Sequence, residues 1–292
     1  MPLDRPLAAT PRTALFSAAA IVGFAANSLL TRLALRPRLI DPASFAAVRL
    51  AAGALTLAML AGLRRPRASL RQGSWQGALM LFAYAAPFSY AYVRLAAGVG
   101  ALVLFGAVQA TMICWGLFRG ERPRPGEWLG LALALAGLTT LSLPGATRPD
   151  LASLLLMLAA GVAWGVYSLL GRASRDPLGA TAGNFALSAP LAIAWCGSRW
   201  WVAGAAAHAQ PHGVVLALAS GAIASGVAYT LWYAALPGLS ALVAALVQLI
   251  VPVLAALAAV VLLDEPLGVR LVGAGALVLG GVACALWSRR AR

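Results

Sequence analysis

The sequence predicts an all-α polytopic membrane protein, with ten transmembrane helices arranged as two inverted five-helix repeats. Three observations predict it. Of 292 residues, 62% are hydrophobic and only 10% charged, whereas a soluble domain carries about 25% charged and about 45–50% apolar residues. Ten apolar stretches approach the ~20 residues a helix needs to cross hydrocarbon. The second half of the chain also repeats polar and aromatic landmarks of the first at a nearly constant offset. A mean hydropathy of +0.86 excludes disorder, which needs low hydrophobicity and high charge. A bilayer is the solvent for most of this chain.

The stretches fall near 13–33, 43–63, 75–94, 98–118, 127–143, 151–171, 178–196, 213–235, 239–262 and 270–287. Their separators carry Pro, Gly and Arg, as in Arg36-Pro37-Arg38, Arg64-Arg65-Pro66-Arg67 and Asp264-Glu265-Pro266, which stop helices. In lipid only helices and closed barrels satisfy every backbone polar group, and these runs are far too long for barrel strands. The first stretch ends in Thr31-Arg32 without a convincing cleavage site, so it reads as a retained helix rather than a signal peptide.

The net charge is +14, and all 22 basic residues are Arg. Most of them sit between apolar stretches, and no basic run is interleaved with aromatics for base stacking. Nucleic acid is not an expected partner. Counting alternate loops, the side holding both termini has Arg5, Arg12, Arg64, Arg65, Arg67, Arg71, Arg119, Arg122, Arg124, Arg172, Arg175, Arg289, Arg290 and Arg292. The opposite side has only Arg32, Arg36, Arg38, Arg94, Arg148, Arg199 and Arg270. The positive-inside rule then places both termini in the cytoplasm. Cys114, Cys196 and Cys284 lie within apolar stretches with no C-x-x-C spacing. They read as buried small hydrophobes, and no metal or other cofactor is implied.

The two halves share landmarks. Asn27-Ser28-Leu29-Leu30-Thr31-Arg32 closes the first stretch and Tyr167-Ser168-Leu169-Leu170-Gly171-Arg172 the sixth. Asp41-Pro42 and Asp176-Pro177 open the next helix in each half, and Tyr90 and Gln109 stand 19 residues apart, as do Tyr229 and Gln248. Glu121-Arg122-Pro123 and Glu265-Pro266 precede Gly/Leu-rich last helices, and all these pairs are offset by 135–144 residues. This predicts two units, 1–146 and 147–292. Each has five spans, an odd number, so the second lies upside down. Inverted repeats of this kind mark secondary transporters, with the substrate site near the midplane between the halves.

On these residues the chain resembles the EamA-type branch of the drug/metabolite transporter superfamily. The closest stretches are Asp41-Pro42-Ala43-Ser44-Phe45-Ala46-Ala47-Val48-Arg49 and Leu231-Trp232-Tyr233-Ala234-Ala235-Leu236-Pro237 into Ser240-Ala241, continuing through Gln248, Pro252 and Asp264-Glu265-Pro266. One departure is Phe24-Ala25-Ala26-Asn27, where many relatives carry a Trp-Gly pair; the counterpart Trp164-Gly165 is present. The resemblance implies a bacterial inner-membrane exporter of small amphipathic metabolites by alternating access. Within the family the chain looks most like exporters of aromatic and other neutral amino acids. The alternative is a drug or other metabolite/proton antiporter of the same superfamily.

Enzyme chemistry is not expected, since no G-x-S-x-G, H-E-x-x-H or paired intramembrane Asp occurs. All eight acids lie at span ends or in loops: Asp4, Asp41, Glu121, Glu127, Asp150, Asp176, Asp264 and Glu265. Proton-coupled exporters commonly use an embedded carboxylate, so facilitated movement is the expected mechanism. His208 and His212 read as solvated loop residues.

Candidate site residues are polar or aromatic groups within the spans. Arg49 lies six residues beyond its helix start, about 9 Å deep. That depth suits snorkelling to the outer interface as well as a role near a substrate carboxylate or in gating. Asn184 is its counterpart in the second half. Gln109, Gln248 and Asn27 either bond between helices or line the cavity. Tyr84, Tyr90, Trp164, Tyr167, Tyr229 and Trp232 form an aromatic set suited to stacking on a substrate while holding its polar end. Interface anchoring accounts for Trp75, Trp200, Trp201 and Trp287 but fits mid-span Tyr84 and Trp164 poorly. Pro87, its counterpart Gly226, and Pro252 are candidate hinges; a static packing kink is the other reading for them and for Pro190.

Overall fold

The computed structural model describes residues 10–35, 37–64, 72–95, 97–142, 150–203, 208–262 and 269–290. Of the features read above, Asp4, Arg5, Arg36, Arg65, Arg67, Arg71, Arg148, Arg292 and the Asp264-Glu265-Pro266 hairpin lie outside the described residues.

Among the described residues ten helices follow one another: α1 (Pro11–Leu35), α2 (Pro42–Arg64), α3 (Trp75–Ala91), α4 (Ala97–Phe118), α5 (Pro125–Ser142), α6 (Leu151–Gly171) and α7 (Pro177–Ala203). The helix α8 is built from Pro211–Ala219, a π-helical stretch Ser220–Val227, and Ala228–Ala235. α9 comprises Ala241–Gln248 and Ile250–Leu262, and α10 is Val269–Arg290. Among the described residues, five segments are long and apolar enough on their own to cross a membrane: Pro11–Leu35, Pro42–Leu63, Leu151–Gly171, Pro211–Gly238 and Ala241–Ala258.

The sequence explains the starts. α1, α2, α5, α7 and α8 each begin with Pro, whose missing N–H would be unpaired there anyway. Asp41 accepts from the Ala43 and Ser44 amides, and Asp176 from Gly179, each at 3.0 Å. Ser74, Asp150 and Ser240 cap α3, α6 and α9 in the same way. α7 runs on to Ala203, past the apolar stretch ending near 196, because Arg199, Trp200 and Trp201 continue the helix with residues suited to an interface.

The helices pack with a two-fold pattern. α2 packs on α7, and α5 on α10. α3 packs on α6 and α7, as α8 does on α1 and α2, and α4 meets α6 as α9 meets α1. Exchanging each helix for the one five places later leaves these partnerships unchanged. Glycines permit the closest approaches. A Cβ on Gly130 would overlap the Gly281 carbonyl, and one on Gly221 in α8 would overlap the Arg49 carbonyl in α2.

At the end remote from the start of α1, Ile40 and Ala209 form an antiparallel bridge. Asp41 N donates to His208 O at 2.9 Å and Gln210 N to Leu39 O at 2.8 Å. The His208 ring meets the Arg38 carbonyl, so this histidine ties two loops together rather than standing free in water.

Candidate functional site

Arg49 sets the site. It is fully buried, so of the two readings open to it snorkelling does not occur: its guanidinium turns inward. Nε donates to Ser225 Oγ at 2.9 Å, and Nη2 donates to Tyr229 Oη at 2.5 Å and Tyr84 Oη at 3.4 Å. The rings of Tyr84 and Phe88 lie 5.2 and 5.7 Å from the guanidinium carbon, within cation–π range. Nη1 is buried with no hydrogen-bond partner among the described residues. The local cause is helix packing. Gly221 lets α8 lie directly against the Arg49 backbone, and the π-helical stretch presents Ser225 to the guanidinium.

Beside it stands a closed cluster of rings centred on Trp164 of α6, which is 4% exposed. Its ring centroid is 4.6 Å from Tyr229, 5.1 Å from Tyr84, 5.2 Å from Phe24 and 5.6 Å from Tyr167. Trp164 Nε1 donates to Gln248 Oε1 at 2.6 Å. Gln248 Nε2 in turn donates to Ala244 O at 3.1 Å and meets Met112 Sδ at 3.4 Å. Gln109 Nε2 donates to Ala245 O at 2.7 Å, tying α4 to α9 just before α9 breaks at Leu249. Asn27 accepts from Ser220 Oγ at 2.7 Å and donates to Tyr84 Oη at 3.5 Å. Trp232 Nε1 donates to Ser168 Oγ at 3.1 Å, and the ring packs edge-on against Phe24 at 5.7 Å.

Most of the sequence-derived candidates therefore meet in one place: Asn27, Arg49, Tyr84, Trp164, Tyr167, Tyr229, Trp232 and Gln248, with Gln109 at its edge. Two lie away from its centre. Asn184 Oδ1 accepts from Ser74 N at 2.9 Å at the start of α3, and its side chain touches the cluster only at its margin, beside Tyr167 and Tyr233. Tyr90 is half-buried and faces Arg199 and Trp195. Inversion explains Asn184, because a residue just inside the start of α2 has its repeat partner at the opposite end of the bundle. Pro87 lies inside α3, and Gly226 inside the π-helical stretch of α8. Pro252 follows the break in α9, where it cannot donate to the Gln248 carbonyl.

Phe24, Phe88, Ser220 and Ser225 join the site without being singled out by the sequence reading. Phe24 carried a signal. It precedes Trp164 by 140 residues, as Asn27 precedes Tyr167. The serines carried none, since small polar residues are scattered through the spans.

The cavity inside the cluster is about 20 Å³ and is lined by Phe24, Asn27, Tyr84, Trp164, Tyr229 and Val251 among others. That is room for about one water, so the site is closed here. A larger cavity of about 300 Å³ lies toward the start of α1, between Arg12, Phe16, Leu57, Leu60, Asp176 and Thr230. One of its lining residues, Leu57, adjoins Gly226 of α8.

A helical bundle with this two-fold packing and a polar, aromatic centre between its halves has the architecture of a secondary transporter. The chain belongs to the EamA-like transporter family, whose sequence profile matches residues 11–143 and again 151–287. It is 53% identical over 285 residues to the uncharacterized protein PA1977 of Pseudomonas aeruginosa, covering 96% of each chain. It is 29% identical over 266 residues to the uncharacterized transporter YwfM of Bacillus subtilis, covering 84% of this chain and 86% of that one. A protein of known crystal structure matches at a TM-score of 0.73 and 25% identity, covering 94% of this chain and 98% of that one. The family consists of transporters, and this chain is a membrane protein of that kind.

Proposed function

We propose that the protein is an inner-membrane exporter of small amphipathic metabolites, with aromatic and other neutral amino acids as its substrates. It works by alternating access, its termini face the cytoplasm, and residues 1–146 and 147–292 are the two inverted units. Transport is facilitative. The observation that carries the reading is Trp164: it is buried mid-bundle, fixed by Gln248, and ringed by Phe24 and Tyr84 from one half and Tyr167 and Tyr229 from the other. A substrate ring entering there exchanges one stacking partner for another, which favours flat aromatic side chains. Facilitated flux is supported by the placement of the described acids, which serve helix ends. Glu121 Oε1, for example, accepts from Ala241 N at 3.0 Å and pairs with Arg172 Nη1 at 3.3 Å. Pro87, Gly226 and Pro252 supply the points where α3, α8 and α9 bend as access alternates.

The test is Trp164→Ala, compared across substrates at equal membrane abundance. Transport of tryptophan and phenylalanine falls by about twofold to tenfold, from the ~0.5–1.5 kcal/mol of an aromatic pair, while that of small substrates falls less. Equal loss for every substrate contradicts the reading.

A further inference from the structure

Arg49 carries a buried charge to which none of the described residues supplies an anion. The described carboxylates are occupied at helix ends: Asp41 and Asp176 cap α2 and α7, Asp150 caps α6, Glu121 holds the start of α9, and Glu127 accepts from Arg124 N. The three acceptors of Arg49, namely Ser225, Tyr84 and Tyr229, are neutral hydroxyls. A guanidinium offers five N–H donors in a planar fork. The Nε hydrogen goes to Ser225 and those of Nη2 go to the two tyrosines, which leaves both hydrogens of Nη1 buried and without an acceptor among the described residues. Buried charges are ordinarily paired with an opposite charge. The Nη1–Nη2 edge is also the edge that grips a carboxylate with two parallel hydrogen bonds. Of the two contacts that Nη2 makes, the one to Tyr84 is the longer, at 3.4 Å.

Resting on the transport reading above, we propose that this edge of Arg49 receives the carboxylate of the transported molecule. The protein then selects substrates by an anionic carboxylate and not by an amine. The cluster is closed in this structure, with room for about one water, so the carboxylate is received when alternating access opens it; the spacing of the groups then matches one small molecule. The Tyr84 ring lies 5.2 Å from the guanidinium carbon and 5.1 Å from the Trp164 ring. A carboxylate on Arg49 and a side chain against Trp164 are therefore joined across a single ring. No carboxylate within the described central cluster faces this edge to receive an ammonium group, so an amine gains nothing comparable.

Binding to purified, chloride-free protein by titration calorimetry tests this with three indole probes: indole-3-propionate, tryptophan and tryptamine. The two carboxylates bind, and tryptamine binds at least about tenfold more weakly, as expected for losing a charge-assisted pair. Arg49→Gln removes the preference for acid over amine. The wild-type comparison decides the matter even where that variant fails to fold. Tryptamine binding as tightly as indole-3-propionate overturns the inference and leaves the aromatic reading intact. The same comparison with hexanoate and hexylamine separates the opposite case: hexanoate binding without any indole acid upholds the carboxylate assignment and removes the aromatic one. Binding by no acid of either series, or by chloride alone, overturns the assignment.

Discussion

The bond from Trp164 to Gln248 is the most exposed point of this account to a quantitative test. Trp164→Phe keeps a ring among Phe24, Tyr84, Tyr167 and Tyr229 but removes the Nε1 donor that lies 2.6 Å from Gln248 Oε1. The amide keeps its own donations to Ala244 O and Met112 Sδ, so the loss falls on one buried oxygen. A buried acceptor left unpaired costs about 1–3 kcal/mol, while interhelical hydrogen bonds in membrane proteins average about 0.6 and reach about 1.7 kcal/mol. The adjoining 20 Å³ cavity has space for about one water, which pulls the expected cost toward about 1 kcal/mol. Gln248→Leu alone leaves the indole N–H unpaired at a similar cost. The double variant loses both partners together and recovers part of the sum, giving a coupling of about 0.6–1.7 kcal/mol. Denaturant unfolding of the purified protein in detergent or lipid, across all four sequences, measures it. Strict additivity refutes the bond.

Gly221→Ala places a Cβ on the Arg49 carbonyl; it destabilises the protein by about 1–3 kcal/mol or more, whereas Gly273→Ala, with nothing within 4 Å, is neutral in the same unfolding assay. Hydrogen bonds from the Ser153 side chain and amide hold the Asp150 carboxyl below the usual carboxylate range. Its stabilising effect is therefore complete above the unfolded carboxyl pKa and lost as pH falls through the lowered folded value. Asp150→Asn flattens the acid limb of the thermal midpoint against pH, and an unchanged limb contradicts this cause. Reporters fused in loops 64–71 and 119–124 are cytoplasmic and one after Ala205 is external; reversed labelling contradicts the orientation.

Much of this structure is legible in the sequence. The helices follow from apolar length and from Asp-Pro, Ser and Pro starts, because lipid leaves the backbone no other solution. The landmark offset also collects part of the site, since Asn27 and Tyr167, and Gln109 and Gln248, are polar and repeat-related. What is not legible depends on neighbours. The depth of Arg49 fits snorkelling or burial equally, and only the contact of Gly221 with α2 and the π-helical turn carrying Ser225 decide for burial. Nothing in Ser220-Gly221-Ala222-Ile223-Ala224-Ser225-Gly226-Val227 distinguishes a π turn from an α turn. Asn184 matches Arg49 by offset, yet inversion carries it to the other end of the bundle.

The central claim is facilitated transport of aromatic amino acids, and counterflow in proteoliposomes measures it directly. Vesicles preloaded with unlabelled tryptophan take up external labelled tryptophan when they contain the protein. The account predicts saturable uptake that is absent from empty liposomes and persists after the proton gradient is collapsed. Absence of saturable uptake, or its complete loss on collapse of the gradient, contradicts the account.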